Sequence, residues 1–187
     1  MARRVGRERL LDEATALFRA KGYSATGIDE IVRACGVTKG SLYHHFPTKE
    51  ALALAAMERV EAHFEAVVFA PVTRAERPGA AELAAMNAAV ETFFTAHPDG
   101  CLLANLSLEI GGASEAFRAA IHRFFEAWRA AYRVVFATGR TEAEADALAT
   151  DALAAVHGCV LLHRLGDDLS ALRRLHRRLL DDVREAD

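Results

Sequence analysis

Alanine and leucine recur at three- and four-residue spacing along most of this chain, and that recurrence constrains its fold more than any other feature. Clusters of β-branched residues, the usual mark of strands, are few, and only four prolines interrupt the pattern. Such a sequence reads as one helix after another, an all-α protein. Hydrophobic residues make up 52% of the 187, ample for a core and too many for a disordered chain. The length suits one domain, or a small domain joined to a larger one.

No apolar run approaches the roughly 18 residues expected of a membrane span. The opening "MARRVGRERLLDEA" is charged and lacks the apolar segment of a signal peptide. Cys35, Cys101 and Cys159 make no even disulfide framework. These features point to a reducing cytoplasm and no membrane partner. Charge is unevenly spread: residues 1–50 hold nine Lys/Arg against six Asp/Glu, or +3, and the remainder holds 14 against 20, or −6. A basic head on an acidic body suits a protein whose head alone meets a polyanion.

The spacing predicts a first helix from about residue 4 to 21, with Leu10, Leu11, Ala14, Leu17 and Phe18 on one face and Gly22 as its stop. Thr26, three residues before Asp29, reads as the N-cap of a short second helix over 28–34. Cys35-Gly36 makes the following turn, and Thr38 caps a third helix that Pro47 ends. A fourth runs over 48–69. Helix, glycine turn, helix is the spacing of a helix-turn-helix. Ile28, Ile31, Val32, Val37, Leu42 and Phe46 can close a small core with the first helix, leaving Thr38, Lys39, Ser41, Tyr43, His44 and His45 outside. A recognition helix presents such polar tips to base edges and phosphates, and Gly40 permits close approach.

The residues that carry a family likeness are Thr26 with "GIDEIVRACGV", then "KGSLYHHF", then "KEAL". Over residues 4–52 the chain resembles the DNA-binding domain of the TetR family of transcriptional regulators. The resemblance implies a two-fold dimer whose paired third helices read successive major grooves of a palindromic operator. It implies that Lys39 and Gly40 face bases, with Thr38 and His44 as additions. Thr26, Ser41, Tyr43, His45 and Lys49 are implied as phosphate contacts, and Arg3 and Arg4 as an arm near the minor groove. Cys35 takes the place of a small residue and reads as a packing thiol.

The expected organisation is a helix-turn-helix domain over 1–50, helix four as connector, and a helical ligand-binding and dimerisation domain over 51–187, about nine helices in all. Residues 70–81 read as a loop. Helices are expected over 81–96, 102–110, 114–138, 141–165 and 169–183. The alanine-rich eighth and the ninth, with Leu172, Leu175, Leu179 and Val183 at 3-4-4 spacing, suit a four-helix bundle with a second chain. Such stripes also face their own chain's core; the family resemblance favours the homodimer.

Cys101, Asn105 and Glu109 stand four apart and share one helix face. They form either a solvated stripe or, with Trp128, Tyr132 and His157, the polar anchors of an apolar pocket walled by Phe64, Phe93 and Phe125. Phe94 is a further candidate wall. Cys101 at a helix start reads as a packing residue or as an electrophile-sensing thiol. Cys159 and His163 are a workable ligand pair, but no third ligand is placed, and no cofactor is expected. No Cys-His-Asn or Ser-His-Asp order supports an enzyme. The function expected is a sequence-specific DNA-binding regulator, a repressor released by a small-molecule effector. An enzyme using Cys101 or a histidine, and a transcriptional activator, are the alternatives.

Overall fold

The computed structural model describes residues 6–110, 112, 114–166 and 168–186. All regular structure among them is helical: α1 (Arg7–Lys21), α2 (Ile28–Cys35), α3 (Lys39–His45), α4 (Lys49–His63), α5 (Ala70–Thr73), α6 (Ala80–Ala96), α7 (Leu102–Ile110), α8 (Glu115–Phe136), α9 (Glu142–Arg164) and α10 (Ser170–Arg184). A π-helical turn, Phe64–Val68, continues α4. The chain divides into two compact units, Met1–Glu61 with Leu102–His122, and Ala62–Cys101 with Arg123–Asp187.

The first unit is built on α1, which packs against both α2 and α7. Leu10, Phe18, Ile31, Val32, Leu42 and Phe46 are buried as the periodicity predicts. Leu17, Ile28 and Val37 are only half-buried. Gly36 ends α2 at φ 65°, ψ 35°, the left-handed conformation that lets the chain turn without a Cβ penalty. Thr38 then caps α3, its side chain accepting from Ser41 N at 3.3 Å. Thr26 departs from expectation. The N-cap of α2 is Gly27, and the Thr26 hydroxyl turns back to the Gly22 carbonyl at 2.7 Å and the Leu17 carbonyl at 3.3 Å.

The second unit contains the irregular stretch after α4, which the sequence reads as helix to residue 69 and then loop. Pro71 has no N–H to donate to the carbonyl four residues back, so the α-helical ladder cannot continue there. The chain widens instead into the π turn, closed by Phe69 N to Phe64 O at 2.7 Å, and resumes as the one-turn α5. The eighth and ninth predicted helices become α9 and α10. Thr141 and Glu144 form a capping box at the start of α9.

Leu172, Leu175, Leu179 and Val183 of α10 are buried within their own chain. The outward side of α10 carries Arg174, Arg177, Arg178, Asp181 and Asp182. His176 Nδ1 and Arg173 Nε both meet the Glu91 carboxylate, at 2.7 and 3.3 Å, tying α10 to α6. Helix α9 keeps an exposed strip of Ala147, Ala154, Gly158, Leu161 and Leu165. It also corrects an expectation: by length and composition α9 is apolar enough to cross a membrane, with 28% of its most apolar window buried. Alanines interspersed with leucines and valines, rather than an unbroken run of large apolar residues, give it that character.

Candidate nucleic-acid interface and the residues behind it

Helix α3 is short because Pro47 follows it, and its fixed ring disfavours helical geometry at the residue before. Leu42 and Phe46 anchor the helix in the core. Lys39, Gly40, Tyr43 and His44 are exposed, while Ser41 and His45 are half-buried. Lys39 Nζ pairs with Asp29 Oδ1 at 2.8 Å, with both side chains mostly in solvent, so the pair is weak and readily exchanged. Burying a Cβ is no issue at Gly40: an added methyl would meet only Thr38 Oγ1, at 3.8 Å. The fold therefore sets no steric requirement for glycine on this face.

Two expected phosphate contacts are placed differently. The Thr26 side chain is fully buried, its hydroxyl held by α1 as described, so it presents no side-chain group outward. Lys49 Nζ lies 4.3 Å from the centroid of the Tyr23 ring, a cation–π contact. Burial lowers the Lys49 ammonium pKa, opposed by the Glu109 charge. Arg3 and Arg4 lie outside the described residues.

Within the first unit, Asn105 and Glu109 of the Cys101-Asn105-Glu109 stripe have work that the sequence did not disclose. Glu109 Oε2 accepts from Tyr23 N at 2.7 Å and Oε1 accepts from Ser24 N at 2.5 Å. Asn105 Nδ2 donates to the Arg19 carbonyl at 3.1 Å. Helix α7 is thus clipped to the end of α1 and the turn that leads into α2. Gly22 makes room for the clip: its φ is +86°, and a Cβ there would fall 2.5 Å from Glu109 Oε2. Tyr23 also packs edge-on against Phe117, and Ser114 Oγ donates to Glu50 Oε1 at 2.9 Å. The signal available in the sequence was Gly22 itself, read there only as a helix stop.

Burial raises the Glu109 carboxyl pKa, but the bonds from Ser24 and Tyr23, with the Lys49 charge, outweigh it and hold the group below 4.5. A carboxyl lowered on folding stabilises the fold above its ordinary pKa and loses that contribution as pH falls through the lowered value. Glu109→Gln is therefore expected to cost about 1 kcal/mol near pH 7, allowing for solvent screening. The cost should shrink in urea melts as pH falls below the ordinary carboxyl value, and vanish once pH has passed through the lowered one. Equal loss at neutral and at low pH would show that the charge has no part in the clip.

The remaining expected effector residues fall in the second unit. Phe64 is fully buried and meets Phe93, Phe124 and Trp128 at centroid distances of 4.7, 5.1 and 5.0 Å. Phe94 is buried and packs edge-on against Phe93. His157 lies 5.0 Å from both the Phe125 and Trp128 rings. Tyr132 is fully buried and stacks on Phe136. Cys101 is buried, 1% exposed. Asn105 and Glu109 belong to the first unit, with their side chains engaged as above. Cys159 and His163 join no group of three or more metal-binding side chains among the described residues; His163 Nε2 instead meets the Phe94 carbonyl at 3.2 Å.

Comparison with known proteins accounts for both units. Residues 10–56 match the model of bacterial regulatory proteins of the tetR family, and residues 78–178 match the C-terminal domain of LmrA/YxaF-like transcriptional regulators. The chain is 32% identical to the HTH-type transcriptional regulator LmrA of Bacillus subtilis (strain 168) over 83% of this chain and 85% of that one. It is 29% identical to the HTH-type transcriptional repressor DhaR of Mycobacterium sp. (strain GP1), over 86% and 83%. The crystal structure of regulatory protein TetR from Rhodobacter sphaeroides superposes with a TM-score of 0.78 at 28% identity, covering 94% of this chain and 97% of that one. A capped reading helix in the first unit and an LmrA/YxaF-like body thus lie in one sequence, and the chain belongs to the TetR family of DNA-binding transcriptional regulators.

Proposed function

We propose that this regulator is a cytoplasmic repressor, released from its operator when a small molecule binds its second unit. The observation that carries this reading is the exposed face of α3, where Lys39, Gly40, Tyr43 and His44 stand clear of the core on a helix capped by Thr38. Lys39 and Gly40 face base edges in this reading, with Thr38 and His44 beside them, and Ser41, Tyr43 and His45 bind phosphates. Thr26 contributes through its backbone, and Lys49 joins once it leaves the Tyr23 ring. Regulators of this family bind operator DNA as dimers. The exposed small-residue and leucine strip of α9, bordered by the charged outer side of α10, supports an interface between two copies through these helices.

The test is fluorescence anisotropy with DNA from immediately upstream of the gene, at several salt concentrations and with excess unrelated DNA. Binding that resists the competitor and weakens steeply with salt is expected, because phosphate contacts release counterions. Salt-insensitive binding, or binding lost equally to any DNA, would refute the operator reading. Transcription from the same promoter in vitro separates repression from activation.

Cys101 lies outside this reading because burial denies it the exposure a sensing thiol needs. Cys101→Ser is expected to leave operator affinity and its response to effector unchanged within about twofold. Release by an electrophile that requires Cys101 would restore the sensing thiol.

A further inference from the structure

The chain has three lysines, Lys21, Lys39 and Lys49. All lie in the first unit, and each is held by a neighbour. Lys49 sits on the Tyr23 ring, Lys21 pairs with Glu30, and Lys39 pairs with Asp29. Asp29 and Glu30 are the acidic residues in the first turn of α2. By its spacing from Thr26, Asp29 reads as half of a capping box. The fold gives it no such task, because Gly27 caps α2 without a side-chain bond and Thr26 turns back to the Gly22 and Leu17 carbonyls. The Asp29 carboxylate instead reaches the first turn of α3, where Oδ1 accepts from Lys39 Nζ at 2.8 Å.

This pair adds little to stability, because both side chains are more than half exposed, 55% for Lys39 and 67% for Asp29. What it alters is the kind of group that the ammonium attracts. An ammonium has three N–H donors, and Asp29 uses one. The hydrogen bond to Asp29 and its charge raise the Lys39 pKa, so the other two donors stay in place. They can donate to neutral acceptors such as guanine O6 and N7. A phosphate is drawn to a lysine by charge, and a carboxylate 2.8 Å from the ammonium cancels most of that attraction and repels the phosphate itself.

We infer that Asp29 is a specificity-determining residue for operator binding. It screens the Lys39 charge from phosphates, which every DNA offers, and leaves the donors for base edges, which only the operator offers in register. This rests on the reading of α3 as the DNA-facing helix with Lys39 at base edges. Removing the Asp29 charge is then a gain for unrelated DNA that the operator does not share in full.

The test is fluorescence anisotropy of the full-length protein on two duplexes, one enriched from random-sequence DNA by the protein itself and one a scrambled version of it. Asp29→Asn keeps the side-chain shape and removes the charge. It should tighten binding to the scrambled duplex about tenfold for the two heads of a dimer, and steepen its salt dependence by about one ion per head. Affinity for the enriched duplex should stay within about twofold, so the ratio of the two falls about fivefold. Glu30 remains in the first turn of α2, and Tm should drop by no more than about 3 °C. Asp29→Glu keeps the charge and should keep most of the ratio. In a Lys39→Met background, Asp29→Asn should leave the ratio unchanged. An unchanged ratio in Asp29→Asn alone, an equal fall in the Lys39→Met background, or a ratio in Asp29→Glu as low as that of Asp29→Asn would overturn the inference. The underlying reading fails separately. No sequence enriched by the protein, or wild-type affinity for the enriched duplex in Lys39→Met, would refute Lys39 of α3 as a reader of bases.

Discussion

Gly40→Ala is expected to move stability and operator binding in opposite directions. Glycine within a helix costs up to about 1 kcal/mol relative to alanine, and the added methyl at Gly40 meets only Thr38 Oγ1 at ordinary contact distance. Thermal melts should therefore show a Tm equal to or a few degrees above wild type. On DNA the same methyl projects from the face that also carries Lys39 and Tyr43. Intruding into a packed contact costs roughly 1–3 kcal/mol, and a dimer presents two such helices. Operator affinity should fall about 100-fold, since about 1.4 kcal/mol is tenfold. Unchanged affinity would mean that Gly40 does not face DNA. A lowered Tm would mean that the fold, and not the groove, requires glycine there.

The second large effect is expected at Phe64. Its ring is fully buried and touches Phe69, Phe93, Phe124 and Trp128. Removing a buried phenyl ring leaves a cavity that aromatic neighbours fill poorly, at a cost of about 3–5 kcal/mol. For a chain of this length that corresponds to a Tm roughly 10 °C lower. Calorimetry on Phe64→Ala and Phe64→Leu checks it, with the leucine variant losing about half as much. A loss below about 1 kcal/mol for alanine would show that the ring lines an adaptable site and carries little of the core.

The DNA-binding head was readable before any coordinates because its signals are local. A capping threonine, a left-handed glycine and a proline stop act within a turn or two of chain, so Thr38, Gly36 and Pro47 fix α3 from neighbouring residues alone. Local signals misled where a longer-range partner competes for the same group. Thr26 has the spacing of an N-cap, yet its hydroxyl finds the Gly22 and Leu17 carbonyls. Lys49 reads as a free cation at a helix start, yet it lies on the Tyr23 ring.

Sequence by itself determined the all-α class, most helix boundaries and the exposed chemistry of α3, because periodicity, capping and turn residues are written within a few positions of one another. Tertiary structure alone decided which face each amphipathic stripe meets. The leucines of α10 turn into their own core and leave α9 with the exposed apolar strip. Glu109, spaced as a pocket or solvent-facing residue, instead bonds the backbone of Tyr23 and Ser24, more than eighty residues earlier. Trp128 and His157 come together because α8 and α9 bring two separate stretches side by side. A helical stripe specifies an angle about its own axis; what lies at that angle is set only when the other helices pack.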